Sequence, residues 1–153
     1  MVGLAAVAGM IQAAAPENGV PPDYGIVNIE FTHLEVYIRD PLAPYRGYFL
    51  TVRATNPNSF AVSKTLTVRY QRWRPYGWTA ERTGVSLAVN LAPGASQSVV
   101  FDGSEESAIH RDGYSAFWIV DEQGDSTLPN YISLDAEGNL IDTYPPVVGG
   151  PWY

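Results

Sequence analysis

From residue 25 onward, apolar and polar side chains alternate with a period of two in short runs separated by turn residues. In GIVNIEFTHLEVYIRD, Val27, Ile29 and Phe31 share one parity, whereas Leu34, Val36 and Ile38 share the other. Successive strand side chains point to opposite faces, so this change of parity predicts a β-bulge or a sheet-to-sheet crossing near Thr32 and His33. GYFLTVRAT predicts a second strand, with Tyr48, Leu50, Val52 and Ala54 alternating with Phe49, Thr51 and Arg53. FAVSKTLTVRYQRW turns Leu66, Val68 and Tyr70 one way and Thr65, Thr67, Arg69 and Gln71 the other, the pattern of a half-buried antiparallel strand. VSLAVNL directs Val85, Leu87, Val89 and Leu91 inward, and QSVVFDG follows as a short strand. In YSAFWIVDE, Phe117, Trp118, Ile119 and Val120 are contiguous, which predicts a central strand covered on both faces. STLPNYISL returns, with Pro129 marking an edge or a bulge, and Leu140 and Ile141 finish a last short strand.

The breaks between these runs are DPLAPYRG, NPNS, RPYGW, APGAS, EQGD and DAEGN, all rich in the residues that set turn geometry. One segment reads as helix. In SEESAIHRDG, Ser104 is placed as N-cap, Glu105 and Glu106 in the first turn and Gly113 beyond the end, which predicts one or two helical turns. About seven or eight short strands with frequent turns are the signature of an antiparallel sandwich or barrel.

The run TVRATNPNSFAVSKTLTVRY, followed by VSLAVNLAPGASQSVVF, resembles immunoglobulin-like β-sandwich modules of bacterial surface proteins and phage virion proteins. The matching residues are Asn56, Pro57 and Asn58 in one turn, then Leu91, Pro93, Gly94 and Ser96 in the next. The resemblance covers about half of the chain and implies a fold rather than an activity. The expected architecture is all-β, an immunoglobulin-like antiparallel sandwich over residues 25–142. Extended arms over 1–24 and 143–153 flank it, with at most one short core helix.

Composition narrows the functional classes. Only 16% of the residues are charged, below the ~25% usual for soluble domains, so little of the surface is defended by charge and contacts with partners are expected. The net charge of −7 argues against a nucleic-acid backbone as the main ligand. With no cysteine, a disulfide framework, a thiolate metal site and a cysteine nucleophile are all excluded.

No catalytic constellation is visible. His33 and His110 are the only histidines, no nucleophile-elbow motif is present, and the helix dipole suffices to explain His110, so the chain reads as non-enzymatic with no cofactor and no metal. Glu105 with Glu106, and Asp121 with Glu122 and Asp125, could offer oxygen ligands to calcium, but neither follows the EF-hand spacing, and acidic turns explain them. The turn YQRWRPYGW is more informative. Trp73, Tyr76 and Trp78, interleaved with Arg72 and Arg74, are residues that subunit interfaces favour, and an interface is the preferred reading; stacking of the rings on sugars is the alternative.

The opening stretch MVGLAAVAGMIQAAAP is shorter than the roughly 20 residues a membrane-crossing helix needs, and it lacks the basic flank of an export signal. It is read as a docking arm with Leu4, Val7, Met10 and Ile11 in an apolar stripe; membrane association of residues 1–16 and an export signal are the alternatives. Tyr144, Trp152 and Tyr153 are the matching contact candidates in the C-terminal tail. Together these readings predict a structural protein of a large symmetric assembly, a phage or virus capsid, decoration or tail component. Its partners would be copies of itself and other structural subunits. The alternative is a binding module of a cell surface or extracellular filament that holds a glycan through the turn at 73–78.

Overall fold

A computed structural model of the chain describes residues 25–38, 40–74, 77–110, 113–137 and 139–144, the side chains of residues 74 and 140–144 excepted. Its strands in chain order are β1 (Asn28–Tyr37), β2 (Tyr45–Thr55), β3 (Val62–Arg74), β4 (Gly77–Trp78), β5 (Arg82–Leu91), β6 (Ser96–Gly103), β7 (Ile109–His110), β8 (Gly113–Val120), β9 (Asn130–Leu134) and β10 (Leu140–Tyr144). They form two sheets in which every pairing among the described residues is antiparallel. The smaller sheet runs β1-β2-β6 with β7 also on β2; the larger runs β10-β9-β8-β3-β4 with β5 also on β3.

The period-two pattern fixes which faces meet. Val27, Ile29, Tyr48, Leu50, Val52 and Phe101 from the smaller sheet pack with Leu66, Val68, Phe117, Ile119 and Ile132 from the larger, giving a single two-layer core. The parity change in β1 is a bulge: its register against β2 shifts between Phe31 and His33, and the Thr32 hydroxyl donates to the Thr51 carbonyl at 3.2 Å. β8 is central, flanked by β3 and β9, but only one of its faces is fully covered. Phe117 and Ile119 are buried while Trp118 and Val120 are half-buried, so the contiguous apolar run does not mean burial on both faces. Pro129 lies immediately before β9, where the ladder needs no N–H from it.

The helix expected over 104–112 is not formed; residues 111 and 112 lie outside the described residues, and among the rest there is a turn and then β7. Asp102 accepts the Ser104 N–H at 3.0 Å, and the Glu106 N–H bonds to the Gly103 carbonyl at 3.0 Å. Ala108 and Ile109 are fully buried, and Ile109 and His110 pair with Arg46 and Tyr45. Core burial and pairing with the end of β2 that runs beyond β6 outcompete the local capping pattern. Glu106, instead of serving a first helical turn, accepts a 2.5 Å hydrogen bond from the Tyr48 hydroxyl.

The two turns that carry the family resemblance meet in space. NPNS carries the chain from β2 in the smaller sheet to β3 in the larger, and APGAS carries it back from β5 to β6. Asn56, fully buried, joins them: its side-chain amide donates to the carbonyls of Phe60, Leu91 and Ala92, and its backbone N–H bonds to the Ala95 carbonyl. Its Oδ1 in turn accepts from the Asn58 N–H and side-chain amide. These two inter-sheet crossings are thus held by one side chain.

Candidate functional site

The outer face of the larger sheet is built by the residues of opposite parity to the core. On β3 these are Arg69, Gln71 and Trp73; on β8, Tyr114, Ala116 and Trp118; on β9, Tyr131 and Ser133. The register aligns them in rows, with Gln71 beside Ala116 and Ala116 beside Tyr131, and Arg69 beside Trp118. At the far end of β3 the chain doubles back, and Trp73 pairs with Trp78 across the hairpin. Gly77 takes a φ of 124° there, a backbone conformation that favours glycine. The return is held by Thr79, whose N–H bonds to the Arg72 carbonyl at 2.8 Å while its hydroxyl accepts the Arg72 N–H at 3.0 Å. Its carbonyl accepts the Gln71 side-chain amide at 3.0 Å.

This geometry gathers four aromatic rings. Trp73 and Trp78 meet edge to face at 5.4 Å between centroids, and Trp78 and Tyr131 are tilted at 5.9 Å. Trp73, Trp78, Tyr114 and Tyr131 are 46%, 40%, 50% and 38% exposed, a concentration of accessible rings that single scattered surface apolar residues do not produce. Between them lies an apolar groove of about 290 Å³. Beyond the ridge made by Trp78 and Tyr131 is a second hollow of about 250 Å³, lined by Gln71, Glu81, Ala116, Trp118, Ser126, Thr127 and Pro129 as well. Its chemistry is mixed, because amide, carboxylate and hydroxyl groups share the wall with indole and phenol rings.

Of the residues singled out in the sequence, Trp73 and Trp78 stand in this face. Arg72 does not. It lies on the inner parity of β3, 7% exposed, with its guanidinium 4.7 Å from the centre of the Tyr45 ring. Tyr76 and the side chains of Arg74 and Tyr144 lie outside the described residues, as do Leu4, Val7, Met10, Ile11, Trp152 and Tyr153; the backbone of Tyr144 ends β10, opposite Tyr131. Tyr114, Trp118, Tyr131, Gln71 and Glu81 were not singled out from sequence. The available signal was parity: Tyr114 and Trp118 alternate with the buried Ser115, Phe117 and Ile119.

The groups that could carry catalysis or a metal ion are placed otherwise. His33 is exposed opposite Thr51, whereas His110, in β7 rather than at a helix end, packs edge-on against Tyr45 at 5.1 Å. Their partners on β2 are six residues apart, about 20 Å at roughly 3.3 Å per residue, so the two imidazoles do not share a site. Asp121 accepts the N–H groups of Gln123 and Asp125 through Oδ1, and its Oδ2 lies 3.3 Å from the buried Lys64 ammonium. Lys64 also donates to Gln123 at 2.9 Å. Asp121 of the acidic turn is therefore paired with a lysine, and among the described residues no group of three or more His, Asp or Glu could hold a metal ion. Among those residues no helix is long and apolar enough to cross a membrane.

No protein-family model matches the chain, and no curated protein matches it. Solved structures do. A β-glucosidase from Listeria innocua, solved with gluconolactone, aligns at a TM-score of 0.51 and 13% identity over 69% of this chain and 16% of its own. A β-D-glucoside glucohydrolase from Trichoderma reesei aligns at 0.50 and 13% over 71% of this chain and 19% of its own. The chain thus spans less than a fifth of the length of these enzymes, and at such identity the likeness is one of fold alone.

Proposed function

We propose that this chain is a non-enzymatic, immunoglobulin-like β-sandwich that serves as a structural component of a large symmetric assembly, a phage or virus particle being the setting that best suits it. The observation that carries the reading is the groove framed by Trp73, Trp78, Tyr114 and Tyr131, four accessible rings on one sheet face. Trp and Tyr dominate the centres of protein interfaces because they bury a large rigid area at low entropic cost. The low charged fraction of 16% supports the same reading, since contacts in such assemblies are largely desolvated. The terminal segments, read from sequence as docking arms, would add further contacts.

The test is the solution mass of the intact chain by light scattering over a dilution series, beside the double variant Trp73→Ala/Tyr114→Ala. The intact chain is expected to exceed its 16.7 kDa monomer mass, and the variant to dissociate at about 30-fold or more higher concentration, as loss of a central aromatic anchor implies. A monomeric intact chain at every concentration counts against self-assembly.

A further inference from the structure

We infer that the hollow over Ala116 is a saccharide site for a neutral pyranose sugar, presented by the same sheet face but on the other side of the Trp78–Tyr131 ridge from the apolar groove. It goes beyond the assembly role, sharing the Trp78–Tyr131 ridge with it and adding Gln71, Glu81 and Trp118, which that role leaves idle.

The floor of the hollow is the smallest side chain of its row. Ala116 sits between the longer side chains of Gln71 on β3 and Tyr131 on β9, which rise on either side of it, and it lines the bottom of the hollow. Trp78, Tyr131 and Trp118 form the apolar walls. The Trp78 and Tyr131 rings are tilted by 44° to each other, so they flank a ligand rather than stack face to face and close the space. The rim is polar: the Gln71 amide, the Glu81 carboxylate and the Ser126 hydroxyl, whereas the buried Thr127 hydroxyl accepts the Ile119 N–H.

A ligand for this wall needs a flat patch of C–H groups to lie on an aromatic ring and several hydroxyls around its edge to pair with amide and carboxylate oxygens. A pyranose ring has both. At about 250 Å³ the hollow is below the roughly 300–1,000 Å³ of sites that engulf drug-sized ligands, which suits one sugar ring with its neighbours extending across the open face.

Charge removes the main competitors. An anionic ligand would meet Glu81 at the rim of a chain whose net charge is −7. A cationic ligand would compete with Arg69, whose guanidinium lies 3.6 Å from the Glu81 carboxylate. The Gln71 side chain is already oriented by its bond to the Thr79 carbonyl, which aims a fixed polar group at the hollow without an ordering cost on binding.

The experiment is titration of the full-length chain with hexasaccharides of β-1,4-linked glucose, N-acetylglucosamine, xylose and mannose and with the free monosaccharides, read by tryptophan fluorescence and by the indole N–H signals in NMR spectra. At least one of these sugars is expected to saturate and to shift the Trp78 and Trp118 indole signals. Trp118→Ala and Gln71→Ala are expected to weaken that binding about tenfold or more, while Trp73→Ala and Tyr114→Ala, which line only the apolar groove, leave it within about threefold. Light scattering on the same samples separates the two roles, because the assembly depends on Trp73 and Tyr114. Should Trp118→Ala fail to fold, Glu81→Gln alters only an exposed rim group and carries the same test, since Gln71 also holds the Thr79 carbonyl of the β3–β4 return. Absence of saturable binding to every sugar in the panel overturns the inference, as does binding that Gln71→Ala and Glu81→Gln leave unchanged. Saturation by a proline-rich or aromatic peptide in place of every sugar would overturn it too.

Discussion

Asn56 shows how one polar side chain can organise a sandwich. Its two amide hydrogens are shared among three carbonyl oxygens and its Oδ1 holds Asn58, so replacing it with Ala leaves several buried backbone groups without partners. Asn56→Ala is expected to destabilise the chain by roughly 2–4 kcal/mol, measured by denaturant unfolding. Gly103 is fixed by a different constraint, close approach: a Cβ there would lie 2.2 Å from the Tyr48 ring. Gly103→Ala should cost about 1–3 kcal/mol in the same assay, as overpacking does, because Tyr48 is fully buried and has nowhere to move.

Glu106 belongs to the same corner. Burial pushes its carboxyl above its ordinary value of 4.5, against the pull of the hydrogen bonds from Tyr48 and the Val85 backbone, and burial together with that bond also raises the Tyr48 hydroxyl. Because the folded-state value lies above the unfolded one, the folded chain keeps the proton where the unfolded chain has lost it. Stability therefore falls as pH rises through that window. Glu106→Gln keeps an acceptor for Tyr48 without the charge. Its melting temperature relative to the parent should match at pH values well below 4.5 and become the higher of the two at neutral pH. A difference that ran the other way would mean the charged carboxylate is stabilising.

At the scale of elements, the period-two alternation made most of the strands legible. Tyr48 to Ala54 and Leu66 to Tyr70 turn inward as their parity requires, and the shift from Phe31 to Leu34 appears as the bulge in β1. The helix over 104–112 was misread because a Ser-Glu-Glu start is a local signal. Ala108 and Ile109 follow the core instead, and Ile109 pairs with Arg46 at the end of β2. The aromatic face was only half legible. Trp73 and Trp78 stood close in sequence, whereas Tyr114 and Tyr131 join them through strand pairings that no spacing along the chain reveals.

Arg72 was misplaced for a related reason, since proximity to Trp73 in sequence puts it on the opposite face. The β3–β8 contact carries one more consequence. Lys64 on β3 and Asp121 after β8 are both buried and separated by 3.3 Å. Lys64→Ala should cost about 3–5 kcal/mol by leaving Asp121 uncompensated, and a paired apolar replacement of both residues should recover much of that loss.

At the scale of the whole molecule, the interior and the outer face of the larger sheet differ in chemistry. The interior between the sheets supplies stability without disulfides, since the chain has no cysteine, from apolar packing together with the Asn56 hydrogen bonds and the Lys64–Asp121 pair. The outer face of the larger sheet carries the accessible aromatic rings, with an apolar groove on one side of the Trp78–Tyr131 ridge, the proposed seat of a protein neighbour, and a mixed hollow on the other. The most direct measurement is oxidative footprinting of side chains in the intact chain across a dilution series monitored by light scattering. Trp73, Trp78, Tyr114 and Tyr131 are predicted to lose reactivity together as the chain assembles, while Leu42 and Val100, exposed elsewhere, keep theirs. Four rings that remain equally reactive in an assembled sample would contradict the claim that this face is the working surface.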